Sequence, residues 1–322
     1  MFDQIRAQLS GLDTVELALG ETSFISYILA LIMFGVALNI HLSTFKKVFT
    51  NPKSIIVGLC MQWVALPAVT FALVWLLRGA LTPMVALGMV LVACCPGGNI
   101  SNFMSSLSKG NVELSVSMTA VSTITAPVIT PFNFWIWGNL CLKVLPLQAT
   151  GLTEVPELVI PFMDMFEQVL LLLGIPIVLG MLFAHYCPKV TEKIKKPFSV
   201  FSLLVFAAMV IVMFSSNWQQ FVDYIIFIFI IVLIHNACAL ATGFLGGTLA
   251  KVPVQDRRSM TIEVGIQNSG LGLMLLLNPA IFPEVPWHDI YGGMLFVTAW
   301  WGIWHIISGL TVASLFRRSK ID

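Results

Sequence analysis

Charge is what this chain has least of. Only 10% of its 322 residues are Asp, Glu, Lys or Arg, where soluble domains carry about 25%. No stretch is polar enough and long enough for a separate soluble domain, so the function must lie among the apolar segments. Neither sign of charge dominates, the formal net charge being +1. A nucleic-acid partner would call for a concentrated basic face that displaces counterions from phosphates, and that class is excluded. The six cysteines, Cys60, Cys94, Cys95, Cys141, Cys187 and Cys238, lack the paired loop spacing of a disulfide framework or a zinc site. They read as small apolar packing residues. The first twenty residues lack the basic start and apolar run of a secretory signal peptide, with Asp3, Asp13 and Glu16 in their place. Leu9, Leu12, Val15 and Leu19 would let this stretch lie along a membrane interface as a short amphipathic helix.

What the sequence has in abundance is apolar length. Hydrophobic residues make up 58% of it, in runs long enough to cross a hydrocarbon core, which takes about 20 residues each. The pattern predicts an all-α membrane protein of nine transmembrane helices, over residues 22–40, 54–77, 84–108, 112–138, 158–185, 198–216, 221–249, 257–278 and 290–315. Cytoplasmic loops retain Lys and Arg. With the N-terminus outside, fourteen of the seventeen basic residues fall on the inner side, including Lys46, Lys47, Lys109, Lys193, Lys251, Arg257, Arg258, Arg317 and Lys320. The outer segments carry Glu154, Glu157, Glu284 and Asp289. The expectation is a multi-pass cell-membrane (inner or plasma membrane) protein in contact with lipid, N-terminus outside and C-terminus cytoplasmic.

Two predicted spans are interrupted in the middle. The third contains Cys95-Pro96-Gly97-Gly98-Asn99-Ile100-Ser101-Asn102, and the eighth contains Glu263-Val264-Gly265-Ile266-Gln267-Asn268-Ser269-Gly270. Proline removes a donor and glycine loosens the backbone, so freed carbonyls and amides must find partners in protein, water or ions. The two interrupted units run in opposite directions, the pattern of inverted repeats whose broken helices form a substrate and ion site. The expected organisation is an outer N-terminal segment 1–21, a first repeat 22–140, an outer loop 141–157, a second repeat 158–316 and a cytoplasmic tail 317–322.

Among the acids only Glu263 reads as deep within a span, where a charge costs at least about 2.5 kcal/mol. The sequence offers no basic residue deep within a span to pair with it, which leaves a proton or a cation. Ser115 and Thr119 are spaced i, i+4 and so share one helix face, and Ser101 and Asn102 lie at the first break. Four neutral oxygens with one carboxylate suit a hard monovalent cation. Each feature alone is weak, because Ser and Thr in membrane helices usually bond back to their own backbone. A protonated glutamate packed in the bundle stands as the bland alternative.

The run Cys94-Cys95-Pro96-Gly97-Gly98 through Ser101-Asn102, then Gly110-Asn111-Val112 with Leu114-Ser115, and above all Ile262-Glu263-Val264-Gly265-Ile266-Gln267-Asn268-Ser269-Gly270 resemble the bile acid:sodium symporter family. The closing Trp304-His305 with Ser308-Gly309 fits as well, and the resemblance runs from about residue 25 to the end. It implies panel and core domains, with the two broken helices crossing at the membrane midplane and two Na+ ions beside the crossing. By resemblance one sodium site comprises Ser101, Asn102, Ser115, Thr119 and Glu263. The second comprises Gln62, Gln267 and Glu263 with the backbone carbonyls of Val264 and Ile266. Taken without the resemblance, Gln62 reads as an interhelical hydrogen-bonding residue.

This chain departs from the family pattern where many relatives have Thr, here Asn99, and where Asn follows the late Trp-His, here Ile306. Asn99, Asn268 and His305 lie at or beside a break and are the candidates to face a substrate, although a core histidine satisfied by a neighbour explains His305 equally well. His235-Asn236 read as packing. Half-helix N-termini at the crossing favour an organic anion. The expected function is therefore sodium-coupled symport of an organic anion, bile-acid-like or a smaller carboxylate or sulfate, with no obligatory protein partner evident. Proton coupling through Glu263 is the nearest rival. An intramembrane hydrolase would need a nucleophile with its base, or paired acids, and neither is found; an enzyme is not expected.

Overall fold

The computed structural model of the chain describes residues 2–13, 25–40, 52–145, 162–277 and 292–319. Lys46, Lys47, Glu154, Glu157, Glu284, Asp289 and Lys320, used above for orientation, and most of the expected outer loop lie outside the described residues. Twelve helical elements carry the described chain: α1 (Phe2–Asp13), α2 (Ile25–Ala37), α3 (Pro52–Leu76), α4 (Pro83–Cys94), α5 (Ile100–Leu107), α6 (Val112–Val144), α7 (162–186), α8 (Pro188–Ser216), α9 (Trp218–Leu249), α10 (Val254–Gly265), α11 (Ser269–Leu276) and α12 (Gly292–Arg318). Among the described residues no strand forms. By length and composition α3, α6, α9 and α12 are fit to cross a membrane; α4 and Leu170–Tyr186 are shorter apolar helices.

Local chemistry accounts for many of the ends. Thr82 accepts a hydrogen bond from Val85 N ahead of Pro83, Asn111 accepts from Leu114 N, and Asn268 accepts from Leu271 N. These are N-caps, each satisfying an amide that the first turn leaves free. Two helices contain a π turn, Met61–Ala65 in α3 and Leu170–Gly174 in α7. Pro67 and Pro176 follow them at the same offset, and proline cannot donate to the carbonyl one turn back. In α3 that carbonyl, Trp63 O, is supplied by Asn133 Nδ2 at 2.8 Å.

The helices sort into two packed groups. α2, α7 and α8 pack on one another, joined by Phe34 against Phe183 and Phe198. In the other group α9 runs along α10, α4 packs on α12 and α6, and α11 packs on α12. Gly243 makes the α9–α10 approach possible, since an added Cβ would come within 2.6 Å of Met260 O.

Three local expectations change. The apolar side of α1 faces protein: Leu9 and Leu12 are fully buried, and the helix packs on α9, α12 and α4. α8 starts about ten residues earlier than the expected span, at Pro188, so Lys189, Lys193, Lys195 and Lys196 lie within the helix. α10 starts at Val254, ahead of the expected span, so Asp256 joins Arg258 inside the helix, each 3% exposed. Apolar periodicity does not reveal such polar first turns, because their side chains are satisfied by other helices. Asp256 accepts from Ser54 Oγ at 2.5 Å and Asn111 Nδ2 at 2.7 Å, and Arg258 donates to Ser108 O at 2.8 Å. Glu263 is therefore not the only buried carboxylate.

Candidate ion and substrate site

Both sequence interruptions are real breaks, and they meet. Residues 95–99 separate α4 from α5, and residues 266–268 separate α10 from α11. Gly97 and Gln267 pair as an isolated antiparallel bridge. Gly98 N donates to Ile266 O and Asn268 N donates to Pro96 O, both at 2.8 Å. Each broken segment thus supplies part of the hydrogen bonding that the other lost.

Side chains of neighbouring helices supply the rest. Thr130 Oγ1 donates to Cys94 O at 2.9 Å, Gly97 N donates to Ser122 Oγ at 3.3 Å, and Asn236 Nδ2 donates to Gly265 O at 2.8 Å. Sequence reasoning did not single out Thr130, Ser122 or Asn133, and read Asn236 as packing. The available signal was the stripe of Ser115, Thr119, Ser122, Thr130 and Asn133, which share one face of α6 at about 100° per residue.

Glu263 is 0% exposed, near the C-terminal end of α10. Ser101 Oγ donates to its Oε2 at 2.5 Å and Ser115 Oγ to the same oxygen at 2.8 Å; Thr119 Oγ1 donates to Oε1. Asn102 Oδ1 lies 2.9 Å from Ser115 Oγ and 3.5 Å from Thr119 Oγ1. Thr119 Oγ1 is also 3.0 Å from Ser115 O. Each hydroxyl has one proton, so acceptors outnumber protons in this cluster. Unprotonated oxygen lone pairs are the donor set a hard cation takes. Among the described residues no basic side chain forms an ion pair with Glu263, and no group of three or more His, Cys, Asp or Glu gathers as a metal site.

Gln62 lies near this carboxylate across Gly97, and Gln267 pairs with Gln62. Gln62, in the π turn of α3, donates through Nε2 to Gln267 Oε1 at 3.4 Å, and its own Oε1 is buried without a hydrogen-bond partner. Gln267 Nε2 donates to Val264 O at 2.8 Å. The carbonyls of Val264 and Ile266 each accept one hydrogen bond and retain a second lone pair. An added Cβ at Gly97 would overlap Glu263 Oε1 and reach 3.3 Å from Gln62 Nε2. Glycine there lets the backbone lie against both amide and carboxylate.

A cavity of about 350 Å³ lies beside the crossing. Asn99, Asn268 and His305 all line it, as do Gln267 and Ile306. Asn99 and Asn268 stand at the N-termini of α5 and α11, and His305 is 6% exposed with a buried Nδ1 that has no hydrogen-bond partner. Apolar side chains of α2 and α11, Ile32, Met33, Val36, Leu271 and Met274, form most of the remaining wall.

Helices fit to cross a membrane, packed around a fully buried polar crossing, define a multi-pass membrane protein with its site inside the bundle. The chain belongs to the sodium bile acid symporter family, whose model matches residues 26–224, and is thereby a membrane transporter of the sodium-symport class. It is 33% identical over 288 residues to the uncharacterized sodium-dependent transporter YocS of Bacillus subtilis, covering 87% of this chain and 83% of that one. A probable sodium/metabolite cotransporter BASS2, chloroplastic, of Oryza sativa is 31% identical over 79% of this chain and 57% of its own length. The sodium-dependent organic anion transporter of Homo sapiens is 27% identical over 77% of this chain and 62% of its own.

Proposed function

We propose that the protein is a sodium-coupled secondary active symporter of an organic anion, working by alternating access. The observation that carries this reading is Glu263, a fully buried carboxylate given three hydroxyls and no basic partner among the described residues. One sodium would sit among Ser101, Asn102, Ser115, Thr119 and Glu263. A second would use Gln62, Gln267, Glu263 and the carbonyls of Val264 and Ile266. The orphaned Oε1 of Gln62 supports that second assignment.

Sodium neutralises Glu263 and draws α6 and α10 onto both breaks. This fixes the N-termini of α5 and α11, whose positive dipole ends favour an anion in the adjoining cavity. Asn99, Asn268 and His305 would face the anion. Coupling follows from linkage, since each ligand raises the affinity for the other by the same factor. The group α2, α7 and α8 is the panel that moves against the remaining helices, in a nine-span arrangement with the N-terminus outside. The cavity is lined by residues of the second half of α2 and the first half of α8, which in that orientation are the cytoplasmic halves of these helices. The name of the human relative supports an organic-anion substrate.

A proton would also neutralise Glu263, and proton coupling is the second reading. Uptake of radiolabelled organic anions into proteoliposomes separates the two. A sodium gradient at fixed pH should drive accumulation, whereas equal uptake in potassium would overturn sodium coupling and favour the proton.

A further inference from the structure

The π turn of α3 carries Gln62 to the crossing, and α3 does not hold that turn with its own hydrogen bonds alone. Leu66 N reaches Met61 O, five residues back, so the turn contains one residue more than an α-helical turn. Four residues after Trp63 stands Pro67, which has no amide to give to Trp63 O. The donor comes from another helix, Asn133 Nδ2 of α6, 2.8 Å from Trp63 O. A carbonyl oxygen accepts only from the nitrogen of that amide, so the contact fixes which way Asn133 points. Gln62 and Asn133 are 1% and 8% exposed, so little water reaches the turn to replace the bond.

Gln62 directly precedes Trp63 and its side chain has a narrow station. Its Nε2 lies 3.4 Å from Gln267 Oε1, and an added Cβ at Gly97 would come within 3.3 Å of the same nitrogen. Its Oε1 is buried with no hydrogen-bond partner. A π turn that slackens or rotates carries this oxygen off its station. About two turns further along α3, Thr70 makes a separate tie to α9. Its hydroxyl donates to Leu66 O at 2.8 Å and so accepts from His235 Nε2 at 2.7 Å. α3 thus has distinct polar ties along its length, and the one at Asn133 bears on the π turn.

Resting on the assignment of Gln62 to the second sodium site, we infer that Asn133 is a positioning residue for that site. By supplying the bond that Pro67 cannot, it holds the π turn in the arrangement that aims the free Oε1 of Gln62 at the crossing. α6 then serves both ions, the first through Ser115 and Thr119 and the second, at one remove, through Asn133.

Equilibrium binding of radiolabelled sodium to the purified full chain, at ionic strength held constant with choline, tests this. Asn133→Ala should raise the half-saturating sodium concentration by about fivefold, the effect of one net hydrogen bond of about 1 kcal/mol. The effect should run through Gln62: in a Gln62→Ala background, adding Asn133→Ala should change half-saturation by less than about twofold, the non-additivity of residues that act as a unit. Thr70→Val, which breaks the tie to His235, should lower the melting temperature in choline and leave sodium affinity within about twofold of the wild type. Should Asn133→Ala fail to fold, Asn133→Gln, which moves the donor by one methylene, is measured in the same cycle with the same expectation. Unchanged sodium affinity in the Asn133 variant, an equal loss with and without Gln62, or an equal loss in Thr70→Val would overturn the inference and leave the second site standing. Wild-type sodium binding in Gln62→Ala would overturn the assignment of Gln62 and the inference with it, and a wild-type chain that binds no sodium would overturn the sodium reading itself.

Discussion

Asn236 of α9 donates its Nδ2 to the main-chain oxygen of Gly265, 2.8 Å away at the end of α10, and accepts Ser308 Oγ on its Oδ1 at 2.5 Å. One buried amide thus ties a free carbonyl of the break to two other helices. The neighbouring carbonyls of Val264 and Ile266 hold the second proposed sodium site, so the angle at which Asn236 holds Gly265 sets theirs. Asn236→Ala leaves Gly265 O buried and unpaired, a cost of about 1–3 kcal/mol. The melting temperature should fall accordingly, and the sodium titration should shift to higher concentration. A variant that melts lower but binds sodium with unchanged affinity would show that Asn236 supports only the fold.

Glu263→Gln keeps the shape and removes the charge. If the carboxylate is the counter-charge of the cargo, the variant should lose sodium-induced stabilisation, which at a hundredfold excess over Kd amounts to about 2.7 kcal/mol. Gly97→Ala attacks the same site through space, because its Cβ would overlap Glu263 Oε1. Both variants should fold in potassium and fail to respond to sodium in a thermal-shift assay. A full sodium shift in Glu263→Gln would remove this carboxylate from the ion site.

The chemical centre was easier to read from the sequence than its supports. Glu263 stood out because a carboxylate in an apolar span is costly, and Ser115 with Thr119 because four residues put two hydroxyls on one face. The glycine and proline of the breaks betrayed the loss of helical bonding. Gln62 carried no such mark, and only resemblance pointed to it. Asn236, Thr130 and Asn133 were not legible because a polar residue in an apolar helix looks the same whether it bonds back to its own turn or caps a distant break. Asp256 was missed because a carboxylate in a first turn reads as solvated, whereas here Ser54 and Asn111 enclose it.

That enclosure makes a prediction independent of transport. The first turns of α3 and α10 and the N-cap of α6 converge on the Asp256 carboxylate, and positive helix ends favour a negative charge there. Asp256→Ala strands the hydroxyl of Ser54 and the amide of Asn111. Stability should fall by about 1–3 kcal/mol, with the sodium-induced increment kept in full. A variant of wild-type stability would mean that water replaces the carboxylate at no cost and that the convergence is not structural.

Ile306 lines the cavity beside His305, where it covers part of the wall with apolar surface and offers no hydrogen bond. Ile306→Asn places an amide donor and acceptor there and removes aliphatic surface from the cavity wall. Ile306 packs against the cluster that includes Ile266 but supplies no atom to either proposed sodium site, so sodium affinity should change by less than about twofold, the scatter expected away from the ligands. The ranking of organic anions should change instead, with the more polar acids gaining over aliphatic ones by about fivefold, the worth of one net hydrogen bond. Competition between a hydroxylated and an unsubstituted carboxylate of equal length in sodium-driven uptake measures that ratio directly. An unchanged ratio would show that this face of α12 does not meet the substrate, and that the apolar wall is set by α2 alone.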